Sequence, residues 1–216
     1  MRLNRNWDLY LLLLLPILYF AIFKYQPMYG MVIAFKRFSA RAGILHSPWV
    51  GFKHFESFFG SYYFPLFLKN TLLISLYSIL LGFPMPILLA LSINEVERPR
   101  LKKTIQTIVY MPHFLSVIVT CSLVIQFLSP TTGIINKAIA ALGGTPRFFM
   151  TEEKYFKPVY VLSEVWSTMG WNAIIYLSAL SGVDMALYEA AEIDGASRLQ
   201  RIWYINLPSI MPTIII

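Results

Sequence analysis

Long apolar segments alternate with short charged ones along this chain. A helix that crosses a bilayer needs about 20 apolar residues, because backbone groups left unpaired in hydrocarbon are costly. Four segments meet that length, at about Leu9–Tyr25, Pro65–Ile93, Thr104–Leu128 and Pro158–Ser181. A fifth begins near Pro208 and reaches Ile216, too short to cross at about 1.5 Å per residue. The pattern predicts an all-α, polytopic membrane helix bundle of about four complete transmembrane helices plus the start of a fifth.

The composition supports lipid as the surroundings of these helices. Of the 216 residues, 57% are hydrophobic and 13% are charged, whereas soluble proteins average about 25% charged residues. A soluble domain would need more charged surface than this chain supplies. The formal net charge of +7 does not indicate nucleic-acid binding, because the basic residues lie at the ends of apolar segments rather than on one helix face.

The positions of the basic residues predict an orientation in the membrane. A dense basic cluster occupies one short loop, at Arg98, Arg100, Lys102 and Lys103, and Arg2 and Arg5 precede the first span. Cytoplasmic loops are enriched in positive charge, so both segments are predicted to be cytoplasmic. The opposite loops are also basic, but they are long, and charge in long loops counts less.

Two predicted spans carry polar or small residues at helical spacing. In the second span the small residues predict a seam for close helix packing, at Thr71, Ser75, Ser78 and Gly82. In the fourth span a polar stripe runs at steps of four, through Glu164, Thr168, Asn172 and Tyr176. Ionisable groups within spans usually face a cavity or a partner, so this stripe is a candidate substrate route. Because Glu164 lies near the span's end, an interfacial carboxylate in contact with water is an equally good interpretation.

The segment after the fourth span carries the strongest functional signal. It reads Glu189-Ala190-Ala191-Glu192-Ile193-Asp194-Gly195-Ala196 and, after a gap, Ile205-Asn206-Leu207-Pro208. Its spacing predicts a short amphipathic helix that Gly195 ends, because glycine adopts positive φ readily. Ser197 can cap a second helix. Such a pair can dock in a cleft on another protein, although an amphipathic loop between spans is more often a solvated connector.

This segment resembles the EAA loop of permeases in ATP-binding-cassette (ABC) importers, which has Glu-Ala-Ala, then Asp-Gly-Ala, then Ile-x-Leu-Pro. The matching positions in this chain are Glu189, Ala190, Ala191, Asp194, Gly195, Ala196, Leu207 and Pro208. One departure is Met185, where relatives often have a proline. The resemblance implies that residues 182–207 form a cytoplasmic coupling loop in a groove of an ATPase. Glu189 would meet a basic residue there.

The resemblance covers nearly the whole chain and favours the carbohydrate-uptake branch, similar to oligosaccharide and polysaccharide permeases of Gram-positive bacteria. It also rests on Trp7-Asp8-Leu9-Tyr10, Pro27-Met28-Tyr29-Gly30, Gly170-Trp171-Asn172 and Ile175-Tyr176-Leu177. It implies a multi-pass subunit of the bacterial cytoplasmic membrane that translocates a sugar or oligosaccharide. Residues 1–8 would be a cytoplasmic N-terminus. Residues 9–216 would be a C-terminally truncated permease domain, a fragment of a six-helix permease.

The implied partners are ATP-binding-cassette ATPase subunits that hydrolyse the ATP, a second homologous permease, an extracellular solute-binding protein or lipoprotein, and the lipid bilayer. The chain itself has no Gly-x-x-x-x-Gly-Lys segment to cradle a nucleotide, and no cofactor is expected. No metal or catalytic site is expected either, because His46, His54 and His113 are far apart and none pairs with a carboxylate at ligand spacing.

Other transport functions stay open at this point. An ABC permease for an amino acid, a peptide or phosphate would share the loop motif. A secondary transporter would have similar spans, although its inverted repeats are not evident here. A membrane enzyme would need a catalytic constellation that the sequence does not suggest.

Overall fold

The computed structural model describes residues 7–216, so Arg2, Arg5 and most of the predicted N-terminal segment 1–8 lie outside the described residues. The α-helices are α1 Trp7–Phe20, α2 Gln26–Met28, α3 Gly43–His46, α4 Lys53–Phe59, α5 Tyr63–Gly82, α6 Pro84–Asn94, α7 Pro99–Tyr110, α8 Val117–Phe127, α9 Ile134–Ala141, α10 Glu153–Ser181, α11 Met185–Ile193, α12 Arg198–Arg201 and α13 Leu207–Ile215. Ala21–Tyr25 and Ile202–Asn206 are π-helical, and Tyr29–Phe35 and Met111–Phe114 are 3-10 helical. The predicted all-α class is confirmed.

The chain divides into two compact units, Met1–Lys69 and Asn70–Ile216, with the boundary inside α5. In the first unit, helical turns follow one another without a break and give an apolar rod of 29 residues, Trp7–Phe35. This rod is longer than the predicted first span. At its end Phe35 stacks on Trp49, with ring centroids 5.6 Å apart, and contacts Phe52 and Phe55 edge-on or tilted. The aromatic run after Pro48 therefore forms a short helix, α4, that packs on the end of the rod.

The second predicted span is formed by α5 and α6, an apolar helical stretch of 32 residues, Tyr63–Asn94. The two helices meet at Phe83, and Pro84 opens α6 as its first residue. A proline suits this position because the first turn of a helix leaves its N–H groups unpaired. The predicted second span is confirmed as helix.

The third predicted span is bent. Pro99–Phe114 and Val117–Phe127 meet at an angle of 106°. Pro112 lies in the 3-10 segment before the bend and has no N–H to donate, so it cannot continue a regular α-helix. Ser116 then caps α8, accepting a hydrogen bond from Val119 N at 3.3 Å. The apolar run predicted the helices correctly but did not reveal the bend.

The fourth predicted span is α10, a helix of 29 residues that begins before Pro158. α10 and α11 meet at 75°, where the predicted span gives way to the predicted loop. Within residues 7–216, two helices are long and apolar enough to cross a membrane, and up to four if each bent pair counts as one span. The prediction of about four spans corresponds to the upper figure.

The core of the second unit lies between α6, α10 and α13. Its buried apolar cluster comprises Ile87, Ala90 and Leu91 of α6, Ala173 and Leu180 of α10, and Ile210 of α13. α10 also packs on α7, where a Cβ built on Gly170 would lie 1.9 Å from the carbonyl oxygen of Val109. Small residues allow membrane helices to approach this closely. The same cluster fixes the ends of the helices that enter and leave the 182–207 loop.

Candidate functional site

The first helix of the 182–207 loop has both ends defined by hydrogen bonds. At its start, Asp184 Oδ1 accepts a bond from Ala186 N at 2.9 Å, which caps α11. At its end, Gly195 has φ +71°. Gly195 N donates to Glu192 O at 3.1 Å, and Ala196 N donates to Ala191 O at 2.8 Å. These two bonds form a Schellman motif, so the predicted positive φ at Gly195 is confirmed.

The second helix is capped by Ser197, as predicted, and Gln200 completes a capping box with it. Ser197 N donates to Gln200 Oε1 at 2.7 Å, and Gln200 N donates to Ser197 Oγ at 3.4 Å. α12 then passes through the π-helical turn Ile202–Asn206 into α13 without a break. Leu207 and Pro208 accordingly lie in the first turn of α13 rather than in a loop.

The turn between the two helices presents acidic and apolar side chains to the outside. Glu189 and Asp194 are exposed. Several large apolar side chains nearby are also exposed, at Leu187, Ile193, Leu199, Trp203 and Tyr204. Large apolar side chains that are exposed close together in sequence can mark a contact with a protein or a membrane. Ala191, Asp194, Gly195 and Ala196 also help to line a cavity of about 360 Å³.

The structure also reveals a polar network, built around Asn206, that sequence reasoning missed. Asn206 is fully buried. Its Oδ1 accepts a hydrogen bond from the hydroxyl of Tyr188 in α11, and its Nδ2 donates to Glu95 Oε1 at 3.1 Å. Glu95 Oε2 lies 3.7 Å from a guanidinium nitrogen of Arg201. Burial raises the pKa of Tyr188 above its ordinary value, so the hydroxyl stays protonated and able to donate.

The network joins segments that are far apart in sequence. Glu95 follows α6 directly and is 111 positions away from Asn206. A second link between the same two regions is the ion pair of Arg198 and Glu97, at 2.7 Å and exposed to solvent. The connector from α6 to α7 and the 182–207 loop also share a cavity of about 460 Å³, whose lining includes Glu97 of the connector, Lys102 of α7 and Glu189 of α11.

The polar stripe of α10 is divided in the structure. Asn172 and Tyr176 line a cavity of about 430 Å³, together with Gly82, Phe83, Pro86, Trp171 and Ile175. Glu164 lies outside that cavity and accepts a hydrogen bond from Ser78 Oγ at 3.0 Å. Thr168 Oγ1 donates to the backbone oxygen of Glu164 at 2.9 Å. Ser78, one of the small residues of the predicted packing seam, thus contacts α10. Of the polar stripe, only the two residues nearer the C-terminal end of α10, Asn172 and Tyr176, line the cavity.

Trp171 at the cavity's edge is held by the bend between α7 and α8. Its ring stacks on His113, with centroids 4.6 Å apart and planes inclined by 7°. Phe114 contacts the same indole edge-on at 5.6 Å. His113 and Phe114 belong to the 3-10 segment before the bend. The bend therefore fixes the position of one wall of the cavity.

Comparison with known proteins gives consistent matches. Residues 82–216 match the family described as "Binding-protein-dependent transport system inner membrane component". The polygalacturonan/rhamnogalacturonan transport system permease protein YteP of Bacillus subtilis (strain 168) is 46% identical over 208 residues, which is 96% of this chain and 65% of that protein. Protein LplB of the same organism is 44% identical over 99% of this chain and 67% of its own length.

A solved structure is similar throughout the fold. The crystal structure of a bacterial ABC transporter involved in the import of the acidic polysaccharide alginate matches with a TM-score of 0.87 and 46% identity, covering 98% of this chain and 71% of that chain. A second structure shows a bacterial alginate ABC transporter in complex with an alginate pentasaccharide-bound periplasmic protein, with a TM-score of 0.86 and 45% identity. The chain thus spans about two thirds of the length of the relatives it matches.

Proposed function

This chain belongs to the family of binding-protein-dependent transport system inner membrane components, and we propose that it is the permease subunit of an ABC importer for a sugar or oligosaccharide. The observation that carries the proposal is the capped, glycine-ended helix pair of the 182–207 loop, which lies within the matched region. As an integral membrane protein, the chain would reside in the bacterial cytoplasmic membrane. Residues 9–216 would form its transmembrane domain.

The substrate class is supported by the relatives. One is a polygalacturonan/rhamnogalacturonan transport system permease protein, and the solved structure is that of an importer of the acidic polysaccharide alginate. In this chain the cavity beside Trp171 offers an aromatic ring, the amide of Asn172 and the hydroxyl of Tyr176. Such groups suit a sugar, which has apolar ring faces and many hydroxyls. We propose that this cavity is part of the substrate route. Glu164 and Thr168, which do not line the cavity, are weaker candidates for the same route.

The loop and the basic cluster would face the same compartment. Glu97 directly precedes that cluster, and Lys102 belongs to it. Both residues line the same cavity as Glu189 of the loop. The ion pair between Arg198 and Glu97 links the two segments directly. If the cluster is cytoplasmic, as the positive-inside rule indicates, the loop is cytoplasmic too. Residues 1–8 would then be a cytoplasmic N-terminus.

The proposed partners follow from the loop and from the family's description. Two ATPase subunits would bind on the cytoplasmic side. One of them would hold α11 in a groove, where a basic residue of the ATPase would pair with Glu189. A second homologous permease would complete the pathway, and an extracellular solute-binding protein or lipoprotein would deliver the substrate. ATP hydrolysis on the ATPase subunits would move the loop and switch the permease pair between inward-open and outward-open states.

Reversing the charge of Glu189 tests the proposed docking. We expect Glu189→Arg in the full-length protein to abolish copurification of the ATPase and to lower ATP-dependent oligosaccharide uptake by roughly thirtyfold, since a charged anchor residue at an interface is worth about 2 kcal/mol or more. Glu56→Arg, in α4 of the other unit, is the matched control and should leave both measurements unchanged.

Two outcomes would count against the proposal. Normal uptake and copurification with Glu189→Arg would show that the loop is a solvated connector. Uptake by wild-type protein in vesicles that contain no ATPase subunits would instead indicate a secondary transporter.

A further inference from the structure

The buried network around Asn206 has no role in the docking proposed above, and we infer that it is a positioning clamp for transport. By clamp we mean the four side chains Glu95, Tyr188, Arg201 and Asn206. The clamp makes the two helices of the 182–207 loop and the end of α6 move as one body, so that a displacement of the loop by the ATPase reaches α6. This inference rests on the proposed function and adds the path by which the loop acts on the membrane domain.

Asn206 is the centre of the clamp because both ends of its side-chain amide are used. Its oxygen accepts from Tyr188 in the first helix of the loop, and its nitrogen donates to Glu95 beyond α6. No part of the residue is exposed. A buried polar group that loses its hydrogen-bond partner is not compensated by water, so the loss destabilises the folded state. The three segments therefore separate only at a substantial cost.

The carboxylate of Glu95 carries the link to the second helix. One of its oxygens is bonded to Asn206 and the other faces Arg201, and the two charged side chains are 16% and 22% exposed. Among the described residues, no group accepts a hydrogen bond from Arg201 Nε, which is buried. Moving Glu95 away would leave the guanidinium without its counter-charge, and breaking a partly buried pair is far more damaging than breaking an exposed one.

A matched exposed contact joins the same two segments. The ion pair of Arg198 with Glu97 is short, at 2.7 Å, but its side chains are 64% and 76% exposed. Exposed ion pairs contribute little to stability, because water competes for both charges and the long side chains lose freedom. It therefore serves as an internal control for the clamp.

α6 can transmit a displacement of the loop to the membrane domain. α6 packs mainly on α10, and its Ile87, Ala90 and Leu91 form half of the buried cluster. Pro86 of the same helix lines the cavity that also contains Trp171 and Tyr176. A rigid link from the loop to Glu95 thus continues through one helix to the proposed substrate cavity, as coupling through packed elements requires.

The test first breaks the hydrogen bond between Asn206 and Glu95 and then restores it with the donor and the acceptor exchanged between the two positions. Asn206→Asp places a second carboxylate where Nδ2 lies 3.1 Å from Glu95 Oε1, so the two groups repel. Adding Glu95→Gln supplies an amide that can donate to the new carboxylate, and the donor–acceptor pair is restored. Both variants are assayed in the full-length protein assembled with its second permease and ATPases in lipid. The readouts are ATPase copurification, ATP hydrolysis and oligosaccharide uptake.

With Asn206→Asp we expect the ATPase to copurify and to hydrolyse ATP, while uptake per ATP falls by roughly tenfold. The double variant should recover most of the lost uptake per ATP, because the interaction between the two positions is not additive. It should stay below wild type, because Glu95→Gln removes the carboxylate that faces Arg201. Glu97→Gln should change nothing. A role in folding alone would lower assembly and uptake together and would leave uptake per ATP constant.

Two results would overturn the clamp. One is unchanged uptake per ATP with Asn206→Asp, and the other is a double variant no better than Asn206→Asp alone. If Asn206→Asp does not assemble, Tyr188→Phe decides, because it removes a single hydroxyl donor: unchanged uptake per ATP then overturns the clamp. Failure of the proposed function is distinct, since the wild-type assembly itself would then show neither ATP-dependent uptake nor a bound ATPase.

Discussion

Replacing Gly170 by alanine is expected to prevent α10 from packing on α7 and to lower the yield of folded full-length protein severalfold. A Cβ at this position would lie 1.9 Å from the carbonyl oxygen of Val109 and 2.6 Å from its carbonyl carbon. Both are backbone atoms, so neither can turn aside as a flexible side chain could. The helices must move apart, and overpacking of this kind costs about 1–3 kcal/mol and occasionally more.

The damage should extend to the proposed substrate cavity. Trp171 is the next residue along α10, and its ring stacks on His113 beside the bend between α7 and α8. If α10 is displaced from α7, this stack is lost. We therefore expect the fluorescence of Trp171, measured with the other four tryptophans replaced by phenylalanine, to report the displacement.

Gly182→Ala is the matched control for Gly170→Ala. Gly182 ends the same helix with φ −89°, a conformation open to any residue, and its Cβ would make an ordinary contact of 3.5 Å with Ala179 O. Thermal unfolding in detergent, followed by loss of monodisperse protein, should be unchanged for Gly182→Ala and shifted down by several degrees for Gly170→Ala. Equal stability of the two variants would show that α10 does not approach α7 closely.

The features that sequence predicted well are local. The end of α11 depends on one glycine, and the start of α12 depends on a serine at its N-cap. These signals act within a single turn of helix, so they can be recognised without knowing any neighbour. The apolar runs likewise predicted helix because a bilayer leaves the backbone few alternatives.

The features that sequence did not predict depend on contacts between distant segments. Asn206 occupies the variable position of Ile-x-Leu-Pro, and nothing in its surroundings indicates that Glu95 is its partner. Asn136 is a similar case. It is buried and bonds the backbone oxygens of Leu128, Ser129 and Arg147, which holds α9 between the third and fourth predicted spans. The 8-residue helix α9 was not recognised from the sequence, because it is short and lies between much longer apolar spans.

The polar stripe of α10 shows the limit of periodicity more directly. Steps of four correctly placed four polar residues along one helix, but the helix faces different neighbours along its length. Near its middle Glu164 meets Ser78 of α5, and further on Asn172 and Tyr176 meet a cavity bounded by α6. Spacing identifies the face of a helix, and only the packing of the other helices decides what that face contacts.

Replacing Gly195 by valine is expected to disrupt the 182–207 loop, and the substitution acts through backbone conformation alone. With φ at +71°, Gly195 occupies a region that costs a residue with a side chain about 1–2 kcal/mol and that β-branched residues rarely enter. Crowding is not the cause, because no heavy atom of the described chain other than its immediate neighbours lies within 4 Å of a built Cβ. The turn should open, and the bonds donated by Gly195 and Ala196 should be lost.

The variant Gly195→Asn distinguishes the effect of backbone conformation from the effect of side-chain size. Gly195→Asn has a side chain as large as that of valine but enters the positive-φ region several times more readily than other residues. If the proposed function is right, Gly195→Val should lower both ATPase copurification and oligosaccharide uptake by about 5- to 30-fold, the factor that 1–2 kcal/mol represents. Gly195→Asn should stay close to wild type in both assays. Equal loss with the two substitutions would mean that the partner requires a bare backbone at the tip of the turn, so that the glycine serves contact rather than conformation.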